Sequence, residues 1–90
     1  MIFDPTIKYL EEQASINSSI NIESIDKFED KKLSIVITYR DETMVSIELL
    51  EDGTCDLTMV DIESEKVIKY RLLRFSKEEE MKTGIKQFLD

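Results

Sequence analysis

The chain has 90 residues, with 20 acidic and 12 basic side chains, one cysteine, one proline, no histidine and no tryptophan. That length makes one domain over residues 1–90, with a radius of gyration of roughly 12 Å and a modest core in place of a deep substrate cavity. The net charge of −8 argues against direct binding of nucleic acid or an anionic membrane, and the missing histidine removes the commonest neutral-pH proton shuttle and metal ligand.

Met1-Ile2-Phe3 runs straight into Asp4 and Pro5, so no basic and then apolar leader is read there. No apolar run approaches the length of a membrane span, and a cytoplasmic location is expected. Asp4-Pro5 suits a helix opening, because Asp can cap free N–H groups and Pro is tolerated in the first turn. Phe3, Ile7, Leu10 and Ala14 then fall on one stripe, which predicts an amphipathic helix ending near Ala14. Asn17-Ser18-Ser19 fits a glycosylation sequon, but no secretory route is expected to serve it.

Ile20 and Ile22 share a strand parity that Ile25 breaks, so a first strand over about Ile20–Phe28 requires a bulge, with continued helix as the rival reading. After a turn at Lys31-Lys32, Leu33, Ile35, Ile37 and Tyr39 alternate with Ser34, Val36, Thr38 and Arg40 and predict the clearest strand in the chain. Val45, Ile47 and Leu49 repeat the pattern after a turn at Asp41-Glu42-Thr43. Glu51-Asp52-Gly53 predicts a three-residue hairpin loop with Gly in the left-handed position. Parity supports that length. It sets Leu49 opposite Cys55, Ile47 opposite Leu57 and Val45 opposite Met59, all on one face, whereas a two-residue loop would bring Asp56 and Thr58 among them.

A four-residue loop at Glu63–Lys66 then pairs Met59 with Tyr70 and Leu57 with Leu72, which makes Val67–Phe75 a fifth strand. Ser76, with Glu79 three residues later, predicts a capping box for a final helix whose stripe is Met81, Ile85, Phe88 and Leu89. The expected fold is therefore α+β: an N-terminal helix, a five-stranded antiparallel meander and a C-terminal helix, both helices on one sheet face. Phe28, Tyr39, Tyr70 and Phe88 are expected in the core. The opposite face would carry Val36, Leu50, Val60, Ile62, Val67 and Leu73 among Ser34, Thr38, Glu48, Asp56, Lys69 and Arg71. Half-apolar faces of this kind often cover a partner or a second copy, although Val is also common on exposed strands.

Catalytic chemistry finds little purchase in this composition. A nucleophilic triad lacks its usual base, and Cys55, flanked in register by Leu49, Leu57 and Met59, reads as a small core hydrophobe. Two glycines, Gly53 and Gly84, cannot build a phosphate-binding loop, and Asp52–Asp56 lacks the spaced carboxylates of a calcium site. No catalytic residue, metal or cofactor is expected, and an enzyme is not.

The charge is sorted along the chain. Residues 41–65 hold nine acids (Asp41, Glu42, Glu48, Glu51, Asp52, Asp56, Asp61, Glu63 and Glu65) and no Lys or Arg. Residues 66–90 hold seven bases and four acids. Lys69 and Arg71 are expected to neutralise Asp56 and Asp61 in part by diagonal cross-strand contacts. In a sequential meander the acids form two poles, with Asp41, Glu42, Glu63 and Glu65 at one end and Glu51 and Asp52 at the other. Acidic turns also serve solubility. The functional expectation is a small acidic, non-catalytic protein-binding module acting on a basic protein, for instance one that itself binds nucleic acid. An inhibitor, an immunity factor or a nucleic-acid mimic would use carboxylates in this way. The alternative is a homodimeric structural or assembly subunit joined through the half-apolar sheet face.

Overall fold

A computed structural model describes residues 2–90; Met1, where the N-terminal reading begins, lies outside the described residues. The elements are α1 (Phe3–Ile16), β1 (Ile20–Phe28), β2 (Lys32–Tyr39), β3 (Thr43–Leu50), β4 (Thr54–Asp61), β5 (Val67–Arg74) and α2 (Glu78–Leu89). The five strands form one antiparallel sheet in the order β1-β2-β3-β4-β5. The α+β meander flanked by two helices is thus the observed fold.

Period-two alternation decides which side of each strand is buried. Leu33, Ile35 and Ile37 of β2 stand opposite Leu49, Ile47 and Val45 of β3, which in turn face Cys55, Leu57 and Met59 of β4. All nine are buried in one cluster with Phe3 and Leu10 of α1 and Met81, Ile85 and Phe88 of α2. At about 1.5–3 kcal/mol for each large side chain removed from water, this inward face is the main favourable contribution to folding. The three-residue Glu51-Asp52-Gly53 loop has the expected register, with Gly53 at φ +91°. A Cβ on Gly53 would lie 2.1 Å from the Phe75 carbonyl oxygen, so close approach and positive φ both demand glycine there.

The bulge in β1 is present. The register shifts between Ile22 and Ser24, which leaves Glu23 unpaired and returns Ile25 to the inward side opposite Ile35. The same shift sends Phe28 outward, opposite Lys32, where it is exposed and not in the core as expected. Helix α1 runs two residues beyond Ala14, and Asp4 does not cap it. Asp4 instead accepts from Lys27 Nζ at 3.0 Å, tying α1 to β1. At α2 the capping carboxylate is Glu80 and not Glu79. Its Oε1 accepts from the Ser76 amide, the Ser76 hydroxyl and the Lys77 amide.

The largest correction lies in β5. Met59 pairs with Lys69, not Tyr70, and Leu57 pairs with Arg71, not Leu72. Val60 pairs with Val67 but Met59 with Lys69, so the register shifts at Ile68, and from Lys69 onward the one-residue slip exchanges the two faces of the strand. Tyr70 and Leu72 are therefore outward and exposed, while Leu73, expected outward, faces Cys55 and packs against the core. Lys69 and Arg71 likewise move to the inward side. Helix α2 accounts for this register. The alkyl stem of Lys69 crosses the end of α2, with Nζ 2.7 Å from the Phe88 carbonyl and 5.3 Å from its ring. A cation at a helix C-terminus is favoured by the exposed carbonyls and the macrodipole, and a long stem can snorkel where Tyr would have to bury a hydroxyl.

Candidate interaction surface

The outward side of the sheet is a grid read directly from the strand pairing. Its middle rows run Ser24, Val36, Ser46, Thr58, Tyr70 and Asp26, Ser34, Glu48, Asp56, Leu72 from β1 to β5. One end row holds Thr38, Met44, Val60 and Val67; the other holds Phe28, Lys32, Thr54 and Arg74, with Leu50 opposite Lys32. Seven large apolar side chains on or beside β3–β5 are exposed: Met44, Leu50, Ile62, Val67, Ile68, Tyr70 and Leu72. Val67 and Leu72 each keep 61% of their surface open to solvent. Ordinary β-propensity explains single exposed valines, but not a run of this length along one edge. Val36, Leu50, Val60 and Val67 lie on this side as expected; Met44 joins them, and the β5 register adds Tyr70 and Leu72, which were expected in the core.

At the centre Glu48 and Asp56 stand directly opposite each other. Lys32 Nζ approaches Glu48 at 3.4 Å, and the Tyr70 hydroxyl donates to Asp56 Oδ2 at 3.3 Å. Desolvation first, and then the charge and hydrogen bond of Asp56, hold the Tyr70 phenol above its ordinary pKa. The expected help from Lys69 and Arg71 does not arrive, since Arg71 donates to the Tyr70 carbonyl and Lys69 to α2. Two like charges therefore share the face with one nearby cation.

The remaining acids lie in the turns. Asp41 and Glu42 adjoin Glu63 and Glu65, because the Ile62 amide donates to the Glu42 carbonyl across the two loops. Glu51 and Asp52 lie at the opposite end, where the Glu51 amide donates to the Lys31 carbonyl. Asp52 and Asp61 are held below the ordinary carboxylate pKa chiefly by backbone N–H groups, from Thr54 and Ser64 respectively. Both are thus committed to their own turns. The nine acids do not meet in one patch: four crown one end, two the other, Glu48 and Asp56 occupy the outward face, and Asp61 ends β4.

A shallow cleft of about 300 Å³ lies where the face meets the first acidic end, lined by Met44, Ser46, Val60, Asp61, Ile62 and Glu65. Apolar floor and acidic rim together suit a long basic side chain, whose stem would cover the floor while its head meets the rim. Cys55 lies on the other side of the sheet, fully buried, and burial pushes its thiol up to about 12, with Asp56 adding to the shift. A nucleophilic role needs the opposite, a lowered pKa with access to solvent. Among the described residues, no group of three Asp, Glu or Cys side chains is arranged to hold a metal ion, and no helix is long and apolar enough to cross a membrane. No family model matches the chain, and no curated protein or solved structure matches it either.

Proposed function

We propose that this is a non-catalytic protein-binding module that docks a basic protein on the outward face of β3–β5. One observation carries the reading: exposed Leu50, Tyr70 and Leu72 border the Glu48–Asp56 pair, with exposed Met44 two rows away on the same face. The apolar side chains favour coverage, and the carboxylates state the charge of what covers them. Acidic turns at both ends would steer such a partner and make its association rate fall with salt.

The homodimer is the second reading, favoured by the exposed run along β5. Five strands of about eight residues span roughly 600 Å² at normal strand spacing, so two copies face to face would bury about 1,200 Å², the low end for a stable complex. Such a dimer would also press two Glu48–Asp56 pairs together. Desolvating like charges without compensating cations costs several kcal/mol, which turns the balance toward a basic partner.

The test uses a synthetic amphipathic peptide of alternating lysine and leucine, titrated into the labelled protein and followed by amide chemical shifts. Shifts centred on Met44, Glu48, Asp56 and Tyr70, weakened by salt and by Glu48→Lys with Asp56→Lys, are expected. Shifts elsewhere, or insensitivity to both charge reversals, would overturn the reading. Sedimentation in the absence of peptide is expected to give a monomer; a concentration-dependent dimer that Leu72→Glu dissociates would establish the second reading.

A further inference from the structure

The free edge of β5 has a different character from the outward face. Phe75 donates its amide to the Gly53 carbonyl at 2.8 Å. Alternation then directs the backbone groups of Leu73, Arg71 and Lys69 toward β4, and those of Arg74, Leu72 and Tyr70 toward the open edge. Consistently, the Tyr70 carbonyl is reached from outside by the Arg71 guanidinium at 2.8 Å. Beside this edge, on the α2 side, runs an open groove. One part of about 470 Å³ is lined by Leu73, Phe75, Thr83 and Gly84 among others, and an adjoining part of about 240 Å³ by Lys69, Arg71, Gln87 and Phe88. Gly84 keeps the groove floor low, since a Cβ there would meet the Phe75 ring at 2.7 Å.

We infer that the β5 edge takes up an extended, acidic segment of a partner protein as a sixth strand. An added strand would bond to the edge-facing amides and carbonyls of Tyr70 and Leu72, and its side chains would alternate between the two sides of the sheet. On the α2 side they meet Lys69 and Arg71, so those positions call for Asp or Glu. The position beside Leu73 and Gly84 takes a small apolar residue. On the outward side they meet exposed Tyr70 and Leu72, which call for Val, Ile or Leu. Arg71 would exchange its bond to the Tyr70 carbonyl for the incoming carboxylate, and Lys69 would keep Phe88 and use a second donor. Glu79 and Glu80 line the far part of the groove near Arg74. Acidic side chains of the partner therefore belong opposite Lys69 and Arg71 and not beyond them.

A second copy is a poorer occupant. Pairing β5 with another β5 sets basic strands together, and pairing it with the bulged β1 gives a head-to-tail contact that need not close. The inference stands apart from docking on the outward face, because it concerns backbone pairing at an edge and the opposite charge.

The test uses a nine-residue peptide alternating glutamate and valine, with calorimetry and amide exchange as readouts. Binding is expected to slow exchange at Tyr70 and Leu72 by about tenfold or more, and Arg71→Glu is expected to weaken affinity by about tenfold. A peptide N-methylated on the amides that face β5, and one with lysine in place of glutamate, are both expected not to bind. Unchanged exchange at Tyr70 and Leu72, or equal binding by either control peptide, would overturn the inference. So would protection of those amides that grows with protein concentration alone, which would assign the edge to a second copy.

Discussion

Cys55 offers the sharpest test of whether the inward face is core or chemistry. Its thiol is raised from the ordinary 9.0 to about 12 by burial, with Asp56 adding to the effect. At pH 8 the thiolate fraction falls from about 0.1 to about 10⁻⁴, so native-state alkylation should run about 1,000-fold slower than for an exposed thiol from ionisation alone. The same shift makes stability depend on pH. The neutral thiol is favoured in the folded state, so this contribution is fully present below pH 9 and is lost as pH rises from 9 toward 12. At pH 11 the loss amounts to about 2–3 kcal/mol, a large part of the stability expected for a chain of this size. Cys55→Ala removes the titration but leaves a small cavity, which costs about 1 kcal/mol at pH 7. In urea melts monitored by circular dichroism, wild type should therefore be the more stable at pH 7, and the difference should close or invert by pH 11. Because Tyr and Lys titrate equally in both proteins, the difference isolates Cys55. A gap constant from pH 7 to 11, or rapid labelling of the native thiol at pH 8, would refute the assignment.

Three further outcomes follow from particular contacts. Gly53→Ala should cost about 2–3 kcal/mol, combining a strained positive φ with displacement of the Phe75 amide from the Gly53 carbonyl; denaturant midpoints measure it. Asp56→Asn should stabilise the protein by about 0.5 kcal/mol at low ionic strength, with the gain fading in salt, because it relieves the pairing with Glu48. Glu80 is held below its ordinary pKa of 4.5, first by the Ser76 hydroxyl and amide. Its contribution is present above pH 4.5 and lost as pH falls through the lowered folded value, so Glu80→Ala should lower Tm at pH 7 and much less near pH 2.

Much of the architecture was legible because the paired inward positions of Leu33–Ile37, Val45–Leu49 and Cys55–Met59 are all apolar and each turn has its own chemistry. The Leu49–Cys55, Ile47–Leu57 and Val45–Met59 ladder follows from parity and from Gly53. The bulge near Glu23 follows from the break at Ile25. The site was read less well. Two acidic ends were foreseen from turn positions, whereas the apolar run along β5 was divided between the wrong faces. Tyr70 and Leu72 look like core residues in a one-dimensional pattern, and nothing local marks them as surface.

By itself the sequence determined the element order, the inward ladder of β2–β4 and the segregation of charge, since these depend on period, turn residues and composition. Only the tertiary structure decided the register of β5. Ile68, Tyr70 and Leu72 make one parity of Val67–Arg74 the more apolar, and Val67 and Leu73 share the other with Lys69 and Arg71, so hydrophobicity along the strand favours the register that β5 does not adopt. The deciding contacts come from α2, where Phe88 receives Lys69 and Gly84 leaves room near Leu73. Those contacts turn Tyr70 and Leu72 outward, and with them the surface a partner would meet.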